Sequence, residues 1–400
     1  MTIRQSHVVN IYDDSLIYKG LSQAYGINSM WNFINSFNNT QETIQTYLSK
    51  QRIPPTMPPQ LTEVDTLTIH AIVNDEIDQI SPSPHPSIKH AQSFLGAPLT
   101  PLPASAQPGG AKLQMRMDTL CCGAHGLSLL ITVSKDGKEH TLLFDTGPEE
   151  AVWERNARRL GLDVAKVERI VLSHWHRDHS GGLLGAVRMV EGAKAATATS
   201  EEKGKVVVDL HPERPDFRGI RAHEIIALEA DPSFSEIEDA GAEVFKSAEA
   251  HTVLDDMFLV SGEIPRRTAY EGGIRGGVRF SEKKGWETDE LIMDERLVMC
   301  NLKGKGLVVF TGCSHAGVVN VSRHAMELGG GVPLYTVVGG YHLADGAPEK
   351  LQKSLEDLKA LEPKVLMPGH CTGWRFKVAI EKEMPGCMAP IFGGTKYELI

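Results

Sequence analysis

The chain has 400 residues, 41% of them hydrophobic and 23% charged, with a formal net charge of −10. That is the composition of a globular protein, long enough for one large domain or two smaller ones. The acidic balance argues against nucleic acid or an anionic membrane surface as the main partner, and no apolar run is long enough to cross a bilayer.

The first residues, Met1 to His7, lack the apolar core of a secretory signal, so a cytoplasmic location is expected. Mitochondrial targeting is the weaker alternative, because arginine is scarce there and Asp13 and Asp14 are present. Six cysteines stand at 121, 122, 300, 313, 371 and 387 without a Cys-x-x-Cys pair, which suits a reducing compartment. Residues 1–58 read as a helical extension or strap. Trp31, Ile34, Phe37, Ile44 and Leu48 fall at helical spacing, and the proline-rich run Ile53 to Pro59 ends it. Residues 59–400 then read as one catalytic domain.

Leu67 to Val73 alternates and predicts the first strand of that domain. Residues 76–112 turn polar and rich in Pro, Ser and Ala, and read as an inserted loop. Gly126 to Val133 and His140 to Phe144 predict a hairpin, and the second strand ends in Asp145-Thr146-Gly147. Pro148 to Leu160 predicts a helix stopped by Gly161. Ile170 to Leu172 is a short buried-type strand.

That strand runs into Ser173-His174-Trp175-His176-Arg177-Asp178-His179-Ser180-Gly181-Gly182. His174 and His176 are two apart, so in extended chain they share a face. Asp178 and His179 follow as the backbone turns and reach a second spot close by. Imidazole and carboxylate are ligands for Zn²⁺ or Fe²⁺. A histidine-rich tract without purpose would not seat an ordered His-x-His-x-Asp-His set directly between a strand and Gly-Gly.

Leu183 to Met189 predicts a short helix and Val206 to Leu210 a strand, with His211 just beyond it. Residues 212–290 look the least regular, and read as a second insertion carrying His251 and many arginines, among them Arg266 and Arg267. Its glycine-rich run, Glu271 to Gly277, lacks the P-loop pattern. Arginines here, with Arg375 further on, are candidates to grip a phosphate or carboxylate, or are simply solvated surface. Strands at Gly306–Phe310, Pro333–Val338 and Lys364–Met367, with a helix at Lys350–Leu361, complete the pattern. Each of these three strands ends in a histidine-bearing loop, holding His315, His342 and His370 in turn, and such loops gather at one sheet edge.

The His-x-His-x-Asp-His motif after an apolar strand resembles the metallo-β-lactamase superfamily. Thr311-Gly312-Cys313-Ser314-His315-Ala316-Gly317, Gly339-Gly340-Tyr341-His342-Leu343 and Pro368-Gly369-His370-Cys371-Thr372-Gly373 resemble the subgroup of 7,8-dihydropterin-6-yl-methyl-4-(β-D-ribofuranosyl)aminobenzene 5′-phosphate synthases. The resemblance covers roughly residues 60 to 400. It implies an α/β fold, a four-layer αββα sandwich, with the N-terminal extension outside it. It also implies a dinuclear centre, most simply two Zn²⁺, with Fe or Mn as alternatives. His174, His176 and His315 would hold one ion; Asp178, His179 and His370 the other. Either Cys313 or His342 could bridge them, and Asp145 would support a ligand histidine from beneath.

Two such ions would lower the pKa of water to about 7 and supply hydroxide, oriented by Asp178. Tyr341 or His342 could donate to the oxyanion or leaving group. The expected activity is hydrolysis of a small anionic ester such as a phosphoester or lactone. The alternatives are a synthase acting on a pterin-like phosphate with pyrophosphate release, and a non-catalytic diiron or zinc-binding module. The expected partner is a small anionic molecule, and a homodimer is compatible with the chain.

Overall fold

The computed structural model describes residues 60–78, 80–90, 99–197 and 204–399. The helix and strap read within residues 1–58, and the boundary after them, lie outside the described residues. Two mixed sheets face each other. The first has eight strands in the order Glu243–Lys246, Val207–Leu210, Val167–Val171, Lys138–Phe144, Ser128–Lys135, Thr66–Val73, Thr395–Leu399 and Ile88–His90. The second runs His251–Val253, Phe258–Val260, Val298–Leu302, Gly306–Thr311, Leu334–Gly340 and Val365–Gly369, with Glu63–Val64 pairing onto Val298–Leu302.

Side-chain alternation explains the layering. Leu129, Ile131, Val133, Leu142 and Phe144 point from the first sheet into the space between the sheets, where Val308, Phe310 and Met367 of the second meet them. The rings of Phe144 and Phe310 lie 6.5 Å apart there, both fully buried. Each such side chain contributes about 1.5–3 kcal/mol by leaving water. The intervening residues Leu130, Leu143 and Ile170 face outward onto the helices Glu150–Arg159, Leu183–Thr197 and Phe234–Asp239. On the other side, Leu307 and Val309 face the helices Val318–Leu328, Pro348–Ala360 and Trp374–Glu383. The result is the αββα sandwich that the motifs imply.

The predicted hairpin, first strand and three late strands all form, within a residue or two of their expected ends. The helix expected at Leu183–Met189 is longer, Leu183–Thr197, because Ala193, Ala195 and Ala196 continue it with the strongest helix former. Residues 212–290 are far more regular than their sequence suggests. Phe217–Arg221, Ile225–Ala227, Gly277–Ser281 and Gly285–Thr288 build a separate four-stranded antiparallel sheet, and other pieces extend both main sheets. These strands are three to five residues long and mix charge with apolar residues, so no period announces them. Thr395–Leu399, which pairs with the first strand, escaped the sequence reading too.

Strand ends place the site. Val167–Val171 runs parallel to Lys138–Phe144, with Phe144 level with Val171. Gly306–Thr311, Leu334–Gly340 and Val365–Gly369 are mutually parallel, with Thr311 level with Gly339 and Gly340 level with Gly369. Their carboxyl-terminal loops therefore come out at common edges, the positions where α/β sheets build sites.

Candidate metal centre

Loops from both sheets converge into two adjoining clusters of ligand-type atoms. In the first, His174 Nε2 lies 2.9 Å from His176 Nδ1, and His315 Nε2 lies 3.1 and 3.2 Å from those two atoms. Ring nitrogens about 2.0–2.1 Å from a tetrahedral cation stand about 3.3 Å apart, so this triangle has nearly the right edge length. Burial pushes the proton affinity of all three imidazoles down, helped for His174 by its histidine neighbours, for His176 by Arg218 and for His315 by His342; His176 falls to about 3. Three neutral nitrogens facing one point have too few protons to satisfy one another, and a divalent cation suits them.

The second cluster joins Asp178, His179, Cys313 and His370. Cys313 Sγ is 3.1 Å from His179 Nε2 and 3.2 Å from His370 Nε2, and Asp178 Oδ2 is 3.2 Å from His370 Nε2. Burial raises the Asp178 carboxyl, but the fields of His179 and His370 outweigh it and hold the group well below the usual carboxylate range. Burial likewise opposes charge on His179 and His370, yet Asp178 and Asp145 raise the first, and the Cys371 sulfur, with Asp178 and Asp75, raises the second. A cation would take the place of the protons that His179 and His370 otherwise hold beside those carboxylates. The donor set of one thiol, two imidazoles and one carboxylate fits a borderline-soft ion.

The imidazoles are fixed from behind. His179 Nδ1 donates to Asp145 Oδ2 at 2.7 Å. Asp145 also accepts from Ser173 N and Ser173 Oγ at 2.7 and 2.8 Å, and Ser173 Oγ is 2.9 Å from His174 Nδ1. One buried carboxylate thus orients a histidine in each cluster, the role that the resemblance implied for it. The Cys313 loop packs hard on this pair: a Cβ on Gly312 would stand 2.2 Å from Ser173 Oγ. Asp145, Ser314, His342 and His370 all take left-handed backbone conformations, the kind of strain that concentrates at functional sites.

Two supports were not read from the sequence. Asp75 Oδ1 accepts from His370 Nδ1 at 2.8 Å, and its Oδ2 meets His125 Nδ1 at 2.9 Å. Next to it, Asn74 Oδ1 accepts from the His370 backbone N–H at 2.8 Å. The available signal was position: Asn74-Asp75 directly follows an apolar strand, as the other site loops do. Replacing Asp75 by alanine should weaken cation affinity at the second cluster about 10–100-fold, the usual cost of losing such a partner. Competition of the variant with a chromophoric chelator measures this, and an unchanged affinity would refute it.

The other sequence candidates lie beside these clusters or away from them. Tyr341 is buried, and its hydroxyl donates to the Val337 carbonyl at 2.8 Å within the layer of sheet and helices, so it is spent away from both clusters. His342 is half-buried beside the first cluster, its ring 4.4 Å from that of His315. Arg266 donates to the Leu291 and Ile292 carbonyls at 2.5 and 3.0 Å. Arg267 pairs with Glu327 on the surface, and Arg375 donates to the Ala344 and Gly346 carbonyls at 3.1 and 3.2 Å. These three arginines are occupied in holding loops. His251 serves Asp209, 2.8 Å away, and His211 Nδ1 accepts from Glu213 N at 3.2 Å.

A buried arginine has a positioning role instead. Arg218 donates to Asp289 at 2.9 Å, to the Trp175 carbonyl at 2.7 Å and to Asp294, whose other oxygen accepts from Trp175 N at 2.8 Å. The residue between His174 and His176 is thereby gripped at both backbone atoms. Arg296 holds the end of the preceding strand, donating to the Leu172 carbonyl at 2.9 Å and to Asp209 at 2.8 Å.

Fold and clusters together define a metallo-β-lactamase-fold protein with ligand sets for two cations. Residues 124–196 match the model of the metallo-beta-lactamase superfamily. It is similar to 7,8-dihydropterin-6-methyl-4-(beta-D-ribofuranosyl)-aminobenzene-5'-phosphate synthase of Methanocaldococcus jannaschii, 27% identical over 262 residues that make up 63% of this chain and 82% of the relative. An uncharacterized protein of the same organism is 28% identical over 255 residues, or 63% of this chain and 85% of its own. Among solved structures, one described as a metal-dependent hydrolase of the beta-lactamase superfamily superposes with a TM-score of 0.57 at 22% identity, covering 82% of this chain and 98% of that one. This last likeness speaks for the fold alone. Among the described residues no helix is long and apolar enough to cross a membrane.

Proposed function

We propose that the protein is a dinuclear, zinc-dependent hydrolase of a small anionic ester. The observation that carries this reading is the pair of adjoining clusters, one all-imidazole and one mixed, built from loops of both sheets. Zinc is favoured over manganese because Cys313 contributes a thiol to the second cluster, and over a lone-ion site because the first is complete with His174, His176 and His315. Two such cations, when bound, acidify water and polarise an ester oxygen.

The chain's own residues supply the rest. His174, His176 and His315 offer lone pairs and no protons towards their common point. Asp178, half-buried at the join between His179 and His370, is the carboxylate placed to accept a proton or orient a nucleophile at that edge. His342 stands beside the first cluster, where an imidazole N–H can meet the developing charge of a leaving group. Asp145 and Asp75 hold the ligand rings in their tautomers throughout.

A second reading is favoured by the likeness to the named synthase: condensation on a pterin-like phosphate with loss of pyrophosphate. The two are separated by assaying the zinc-loaded protein against a panel of phosphoesters and lactones, and against a pterin alcohol diphosphate with pyrophosphate detection. Ester turnover that disappears on chelation and returns with zinc is expected. Pyrophosphate release without ester turnover would replace the first reading by the second, and turnover surviving complete chelation would remove both.

A further inference from the structure

We propose that Cys313, His342 and Cys371 form a third cation cradle, for a soft d¹⁰ ion such as Zn²⁺ or Cd²⁺, joined to the second cluster through the shared sulfur of Cys313. One ligand atom from each of the three residues lies within 4.8 Å of the others. Cys313 is buried at the base, while His342 and Cys371 are half-buried, so the cradle is open on one side.

The backbone is shaped to bring these groups together. A Cβ on Gly340 would stand 2.7 Å from Cys371 Sγ, so a side chain at that strand end would crowd the sulfur. Cys371 Sγ comes within 3.5 Å of the Cys313 carbonyl. His342 takes a left-handed conformation, φ 47°, and His370, immediately before Cys371, takes another, φ 44°. The first cluster is complete without His342, its three ligands being His174, His176 and His315.

The donor chemistry selects the ligand. Two thiols and one imidazole are a three-ligand set of the kind that holds zinc with a fourth position free. Thiolates prefer soft ions to Mg²⁺, Ca²⁺ or Mn²⁺. Binding displaces the thiol proton of Cys371, and that of Cys313 where it is still present, to solvent. Cys313 would then bridge two ions. The proposal rests on the paired-cation reading only through this shared sulfur.

The test uses the full-length protein, stripped of metal, kept reduced with a phosphine and titrated with Cd²⁺. Bound cadmium is counted, and sulfur-to-cadmium charge-transfer absorption reports the thiolates engaged. The wild type should take up three equivalents with the absorption of two thiolates. Cys371→Ser should take up two equivalents with the absorption of one, and His342→Ala should weaken the last equivalent about tenfold or more. In the unaltered protein, cadmium should also shield Cys371 from alkylation by iodoacetamide, read by peptide mass. Saturation of the wild type at two equivalents, or a Cys371 alkylated as fast with cadmium as without, would overturn the proposal. Failure of the paired-cation reading looks different: His174→Ala would then leave the count unchanged.

Discussion

Asp178→Ala should lower kcat more than 100-fold and abolish binding of one cation, leaving the other at His174, His176 and His315. The expectation exceeds the roughly 10–100-fold typical of partners that only touch a ligand, because Asp178 is itself within 3.2 Å of His370 Nε2 and 3.6 Å of His179 Nε2. Its loss also removes the carboxylate that offsets two neighbouring imidazoles. Metal content and steady-state rates on the zinc-loaded variant check it together. A variant that keeps both ions and falls by less than tenfold would mean that Asp178 neither ligates nor orients, and that the second cluster is organised by Cys313 and the histidines alone.

Arg218→Met should cost about 3–5 kcal/mol of stability, the range found when one partner of a buried ion pair is deleted. Arg218 is 4% exposed, and its removal strands Asp289 and Asp294, 7% and 3% exposed, together with the Trp175 carbonyl. The burial penalty on those carboxylates then loses its opposing charge, leaving Asp294 only the Trp175 N–H. Denaturant unfolding of the metal-free protein measures the loss, and cation affinity should fall with it, because Asp294 also fixes the backbone between His174 and His176. A loss below about 1 kcal/mol would show that the pocket relaxes or admits water, and that the motif loop holds its shape without this clamp.

These two residues mark the limits of what the sequence discloses. Asp178 was legible because four ligand-type side chains follow a buried strand within six positions, a pattern that local chemistry alone makes improbable. His315 and His370 were legible because each follows a strand of obvious apolar character. The sequence leaves Cys313 and His342 as alternatives for joining the clusters, and only the folded loop shows the sulfur between His179 and His370.

Arg218 was one arginine among many in an irregular-looking stretch. Nothing local distinguishes it from Arg267, which ends on the surface with Glu327, since the difference lies in partners 71 and 76 positions away. Tyr341 shows the opposite error. A tyrosine beside a site histidine invites a catalytic role, yet its backbone direction sends the hydroxyl to Val337. Motif proximity locates a loop; which side chains enter the site depends on register and on left-handed turns such as that at His342. Asp75, at the end of the first strand and 295 residues from His370, is the same lesson in reverse.

The central claim is that distant loops cage a pair of cations. Anomalous diffraction from crystals of the zinc-loaded protein, collected at the zinc absorption edge, tests it most directly. The account predicts one peak within about 2.3 Å of His174, His176 and His315, and a second within the same distance of ligand atoms of Asp178, His179, Cys313 and His370, about 3.5–4 Å from the first. Anomalous density absent from both clusters in crystals shown to contain zinc would contradict it.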